Sequence, residues 1–105
     1  MANTAIDLAR PTANYDKTAG YTQREIDGFE DFLSSGFKDT FRELHPDEKK
    51  YSYFSFRANA RANNVGWRID YFLVSESLLE KVGVADIHKE YEGSDHCPIQ
   101  LVLKD

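Results

Sequence analysis

Near the C-terminal end, Gly93-Ser94-Asp95-His96-Cys97-Pro98 sets a carboxylate beside an imidazole on a Gly-Ser turn, just ahead of the apolar run Ile99 to Leu103. Such a pair at the mouth of a strand can face a phosphate or a metal, and it is also common in ordinary solvated turns. A second carboxylate, Asp70, interrupts Trp67-Arg68-Ile69-Asp70-Tyr71-Phe72-Leu73-Val74. Strand alternation puts it on one face with Arg68, Phe72 and Val74, where an ionised acid needs a partner. That partner is either Arg68, two residues back, or an imidazole from another strand. A third feature is Arg57-Ala58-Asn59-Ala60-Arg61-Ala62-Asn63-Asn64, with two arginines, three asparagines and no acid in an otherwise acidic chain. It reads equally as a phosphate-binding loop and as a solvated hairpin tip.

These groups need elements to hold them. Thr22-Gln23-Arg24-Glu25 is a capping box that starts a helix, and Ile26, Phe29, Phe32 and Leu33 give it an apolar stripe before Ser34-Ser35-Gly36 ends it. Ahead of it, Ile6-Asp7-Leu8-Ala9-Arg10-Pro11 and residues 12–20 read as an exposed opening loop. Residues 37–44 suit a short strand or a helical turn around Phe41 and Leu44, and His45 before Pro46 reads as a surface loop residue. Residues 51–56 alternate as a strand with aromatics on both faces, and residues 67–74 form the strongest strand. Ser75 can cap a short helix carrying Leu78 and Leu79. Val82 to Ile87 and Pro98 to Leu103 supply further strands, with Pro98 at an entrance where its missing N–H does no harm. Together these predict an α/β (α+β) layer: one mixed, mostly antiparallel sheet with helices on one face, a single domain over residues 1–105.

Composition narrows the class. At 105 residues, 41% hydrophobic and 13% aromatic, the chain can build a core and is not a disordered tail. A net charge of -5 gives no general attraction to polyanions, so nucleic-acid contact requires a local basic patch or a metal. Cys97 is the only cysteine, which rules out an intrachain disulfide and suits a reducing cytoplasm. No stretch reads as a signal peptide or a membrane span.

Gly66-Trp67-Arg68-Ile69-Asp70-Tyr71-Phe72-Leu73 followed by Gly93-Ser94-Asp95-His96-Cys97-Pro98-Ile99 resembles the exonuclease III type of apurinic/apyrimidinic endonuclease, in the endonuclease/exonuclease/phosphatase superfamily. Ile6-Asp7-Leu8-Ala9-Arg10-Pro11, Ala19-Gly20-Tyr21-Thr22, Asn59-Ala60-Arg61 and Asn64-Val65-Gly66 extend the resemblance along the chain. It covers the C-terminal half of that family, so the implied fold is one half of a four-layer sandwich.

The resemblance implies an enzyme, dependent on Mg²⁺ or alternatively Mn²⁺, that cleaves DNA 5′ to abasic sites, with 3′ to 5′ exonuclease activity. His96 would polarise the scissile phosphate, Asp70 would hold its imidazole, and Asp95 would serve the metal. Tyr53, Trp67 and Ile69 would line a pocket for an extruded abasic sugar, whereas plain core packing also accounts for them. Arg10, Asn14, Arg57, Asn59 and Arg61 would contact phosphates or the groove. The Asp-x-Asn motif, the metal-binding glutamate and asparagine, and a tyrosine region of the family's first half are not in this sequence, so low activity in isolation is expected. Partners would be abasic duplex DNA and either an N-terminal half or a second copy through an exposed sheet face, with a nuclear location in a eukaryote. A non-catalytic module that binds DNA or a partner is the alternative. A lipid or nucleotide phosphodiesterase fits the Asn-Ala-Arg and Val-Gly-Trp context less well.

Overall fold

A computed structural model describes residues 2–104; the two terminal residues of the expected domain lie outside the described set. The chain order is a 3-10 turn at Ala5–Asp7, α1 (Pro11–Asn14), α2 (Gln23–Ser34), β1 (Phe37–Asp39), α3 (Thr40–Leu44), β2 (Leu73–Ser75), a 3-10 helix at Glu76–Lys81, β3 (Val82–Ile87) and β4 (Ile99–Leu103).

The capping box works as its spacing predicts. Thr22 Oγ1 accepts the Glu25 N–H at 3.3 Å, and the Glu25 carboxylate accepts from Gly20 N at 2.8 Å and the Thr22 hydroxyl at 2.9 Å. Those bonds hold the Glu25 carboxyl below its ordinary range. The apolar stripe is only partly core: Phe29 is buried against Tyr71, at 4.8 Å between ring centroids, while Phe32 stays half exposed and stacks on Phe37. Both readings of residues 37–44 hold in succession, a strand and then a helix that Asp39 caps.

Every strand pairing is antiparallel. β1 pairs with β2, placing Lys38 opposite Val74, and β3 pairs with β4, placing Ala85 opposite Leu101 and Ile87 opposite Ile99. The strands expected over residues 51–56 and 67–74 are reduced mostly to single bridges, Leu8 to Trp67, Trp67 to Tyr53 and Tyr53 to His96, so the layer divides into two short ladders joined by bridges. The reason is local. The Trp67 carbonyl accepts both the Ser52 and Tyr53 N–H groups, at 3.0 and 2.9 Å, and the amides of Ile69 and Asp70 leave the ladder to bond the Ser52 side chain. Gly66 permits the close approach: a Cβ there would lie 2.6 Å from Phe54 Cε1 and 2.7 Å from the Tyr53 carbonyl.

The opening segment is more structured than a loop. Ala2, Asp7 and Leu8 are buried, and Leu8 packs in a cluster with Ala2 and Tyr21, joined by Ile26 and Trp67. His45 is likewise not a plain surface residue; its Nε2 donates to the Ala85 carbonyl at 2.8 Å and its ring leans on Phe41. The main core is Phe41, Tyr51, Phe54, Ile87 and Cys97, and a smaller one joins Val74, Val82 and Ala85 under Leu78 and Leu79. On the outer face of the β3–β4 ladder, Val84 pairs with Val102, and both stay exposed. Among the described residues no helix is long and apolar enough to cross a membrane.

Candidate active site

Three segments run side by side at one end of the layer, carrying Asp70, Tyr53 and His96. Tyr53 lies between the other two, bridged on one side to Trp67 and on the other to His96. Across it, His96 Nδ1 and Asp70 Oδ2 meet at 2.8 Å. An ionised carboxylate only accepts, so the imidazole donates from Nδ1, and Nε2 is left for another partner. Of the two partners weighed for Asp70, the structure supplies the imidazole. The His96 side chain is 46% exposed and Asp70 33%, so the pair is open to a ligand on one side. The Tyr53 ring lies against the imidazole, with centroids 5.3 Å apart.

Arg68 does not serve Asp70 because it is fully buried in a charge cluster. Its Nε donates to Asp7 Oδ1 at 2.8 Å, its two terminal nitrogens bond both oxygens of Asp39, and Arg42 reaches the same Asp7 oxygen at 2.5 Å. The guanidinium also lies over the Tyr71 ring, 4.6 Å from its centroid. Two acids and two guanidiniums balance in charge, the condition under which buried ions persist. Burial pushes the Asp7 carboxyl up, but Arg68 and then Arg42 outweigh it and hold the group below its ordinary value. Burial tends to lower the Arg68 pKa, yet the two carboxylates carry it above normal. Burial raises the Tyr71 phenol.

The turn that presents His96 is held from behind. Phe54 N–H donates to the Asp95 carbonyl at 2.8 Å, Cys97 N–H to the Ser52 carbonyl at 2.6 Å, and His96 N–H to Ser94 Oγ at 3.1 Å. Arg61 donates to the carbonyls of Lys89 and Ser94, each at 2.9 Å, and sits over the Phe54 ring. Its charge therefore braces the turn, while Arg57 and Asn59 remain exposed. Two open grooves flank the turn, sharing Glu92, Gly93 and Ser94. One, of about 740 Å³, is lined by Phe56, Asn59, Arg61 and Lys89. The other, of about 460 Å³, is lined by Tyr91, His96 and Pro98.

The remaining sequence candidates are placed as follows. The Trp67 ring packs edge-on to Tyr21, at 6.4 Å, and Ile69 joins the site through its backbone. Asn14 closes α1, donating to the Arg10 carbonyl at 2.8 Å and accepting from Thr18, contacts that lie within this segment. Asp95 accepts from the Ser94 hydroxyl at 3.3 Å. Among the described residues no three His, Cys, Asp or Glu side chains gather at a possible metal position. Asp95 is thus a single hard-oxygen donor, and these residues do not fit a self-contained Mg²⁺ or Mn²⁺ site. Sequence reading missed Ser52 and the Asp7–Arg68–Asp39 cluster. Asp7 and Asp39 lie 61 and 29 residues from Arg68, and no local periodicity signals such a contact.

The fold defines a class. It superposes on the AP endonuclease LMAP from Leishmania major with a TM-score of 0.91 and 30% identity, covering 100% of this chain and 33% of that one. A 3′ phosphatase from Neisseria bound to product DNA hairpin gives a TM-score of 0.93 at 25% identity, over 99% of this chain and 42% of its own. Residues 5–96 match the Endonuclease/Exonuclease/phosphatase family, and the chain belongs to that family. An exodeoxyribonuclease of Bacillus subtilis is 49% identical over 104 residues, 98% of this chain. The chain spans 41% of the length of that relative.

Proposed function

We propose that this chain supplies the Asp70–His96 part of the active site of a DNA phosphodiesterase that cleaves 5′ to abasic sites. The observation that carries this is the 2.8 Å bond from His96 Nδ1 to Asp70. It fixes the tautomer and aims Nε2 outward, so a protonated ring can donate to a phosphate oxygen as negative charge develops there. Asp70 stabilises the imidazolium, and Tyr53 limits its swing. Tyr53, Trp67 and Ile69 are assigned to receive an extruded abasic sugar and exclude a full nucleotide by size, an assignment supported by the family resemblance and by the place of Tyr53 against His96. Arg57 and Asn59 meet the phosphate backbone from the exposed loop. Asp95 would supply one hard-oxygen ligand to a divalent cation, which would offset negative charge on the phosphate.

The DNA named with the Neisseria structure and the names of the relatives support the substrate class. The internal bonding of Arg61 weighs against a purely electrostatic binding module, since only one arginine of the loop is left for a polyanion. With about two fifths of a relative's length present, activity of the chain alone is very low, and the exposed Val84–Val102 face of the β3–β4 ladder takes either the complementary half or a second copy. The test is incision of a labelled abasic duplex by the chain joined to the N-terminal part of the Bacillus subtilis relative. Products ending on the 5′ side of the lesion support the reading; degradation only from 3′ ends, with no incision at the lesion, refutes it.

A further inference from the structure

Ser52 holds both carriers of the dyad, the Asp70 segment through its backbone and side chain and the His96 segment through its carbonyl. It is fully buried. Toward the Asp70 segment, its N–H donates to the Trp67 carbonyl at 3.0 Å, and its Oγ accepts the N–H groups of Ile69 at 3.0 Å and of Asp70 itself at 3.1 Å. Toward the His96 segment, its carbonyl accepts the Cys97 N–H at 2.6 Å. The regular ladder fails at this point because Trp67 uses its carbonyl twice. A side-chain oxygen takes the place of a backbone acceptor and gathers two successive amides.

The geometry points to Ser52 as the positioning residue of the Asp70–His96 pair, a role that rests on the reading of that pair as the catalytic dyad. The physical reasoning is direct. Two neighbouring N–H groups converging on one hydroxyl oxygen fix the peptide planes on either side of Ile69 and the start of Asp70, and so the direction in which the Asp70 carboxylate leaves the backbone. The same residue holds Cys97, next in sequence to His96. A hydrogen bond such as that between Asp70 and His96 weakens steeply with misalignment, so both ends need a common reference. Removing Oγ leaves two amides without that acceptor and lets the carboxylate rotate. Ser52 itself touches no reacting atom.

The test reads the imidazole, not cleavage. In the ¹⁵N-labelled chain, the ring nitrogen shifts of His96 are followed at a pH where the ring is neutral, with His96→Gln identifying its signals. His88, held between Glu90 and Gln100, serves as an internal control of folding. Wild type and Ser52→Thr, which both keep the hydroxyl, show the single tautomer protonated at Nδ1. Ser52→Ala shows averaged shifts of mixed tautomers with His88 unchanged. Ser52→Cys, close in shape with a weaker acceptor, falls between them and replaces the alanine variant should that one not fold. Wild-type His96 shifts in a folded Ser52→Ala or Ser52→Cys protein overturn the proposal. A dyad that cleaves nothing would refute the catalytic reading and leave this result standing, so the two failures are distinguishable.

Discussion

His96 and Asp70 are hydrogen-bonded at 2.8 Å although they come from segments 26 residues apart, with Tyr53 between them. Their contact turns two ambiguous polar residues into an oriented pair. Asp70→Asn keeps the shape but can present its amide N–H to the ring, which favours the opposite tautomer and removes the charge that stabilises the imidazolium. In the completed enzyme this substitution lowers kcat on an abasic duplex by roughly 100- to 10,000-fold, with KM changed little. Steady-state kinetics check it, and an equal loss carried by KM alone would point to a binding role.

Arg68 is the structural centre of the layer. Arg68→Met leaves Asp7 and Asp39 buried without their main partner and destabilises the chain by about 3–5 kcal/mol, read from urea unfolding. The pH dependence follows from Asp7, whose folded value lies below its ordinary 3.8. A depressed carboxyl contributes stability that is fully present above its unfolded value and is lost as pH falls through the folded one. Wild-type stability therefore holds near neutrality and declines below about pH 4. An unfolding midpoint insensitive to acid in that window would contradict the assignment.

Arg61 braces the turn through the carbonyls of Lys89 and Ser94. Arg61→Ala raises amide exchange across residues 89–97, with local opening easier by about 1.5–3 kcal/mol. Arg61→Lys restores little, because one ammonium does not reproduce the fork that spans two carbonyls. Unchanged exchange together with weakened DNA binding would instead make Arg61 a phosphate contact.

Val84 and Val102 pair on an exposed face of the β3–β4 ladder. Sedimentation of the isolated chain shows concentration-dependent association, which the complementary half of a relative suppresses. A strict monomer at all concentrations would count against this face as an interface.

Much of this was readable from local rules. The Thr22–Glu25 capping box, the stop at Gly36, the β3 segment and the apolar run after Pro98 each follow from a few neighbouring residues. Asp70 was visible as an acid needing a partner, and the family motifs selected His96. The misses are long-range. Arg68 stands two residues from Asp70, which suggests a same-face pair, but burial against Asp7 and Asp39 turns it away. The alternation of residues 51–56 implies a regular ladder, whereas the doubly used Trp67 carbonyl and the Ser52 hydroxyl break it. The opening segment reads as loop from its polarity, yet Leu8 and Asp7 are held by residues some sixty positions later.

The most direct test of the central claim compares Mg²⁺-dependent incision of an abasic duplex by three samples. These are the chain alone, the chain joined to the N-terminal part of the Bacillus subtilis relative, and that joined protein carrying His96→Ala. The account predicts incision by the joined protein, at least about 100-fold above both the isolated chain and the His96→Ala sample. Equal incision with and without the His96 imidazole, or full activity of the chain alone, would contradict it.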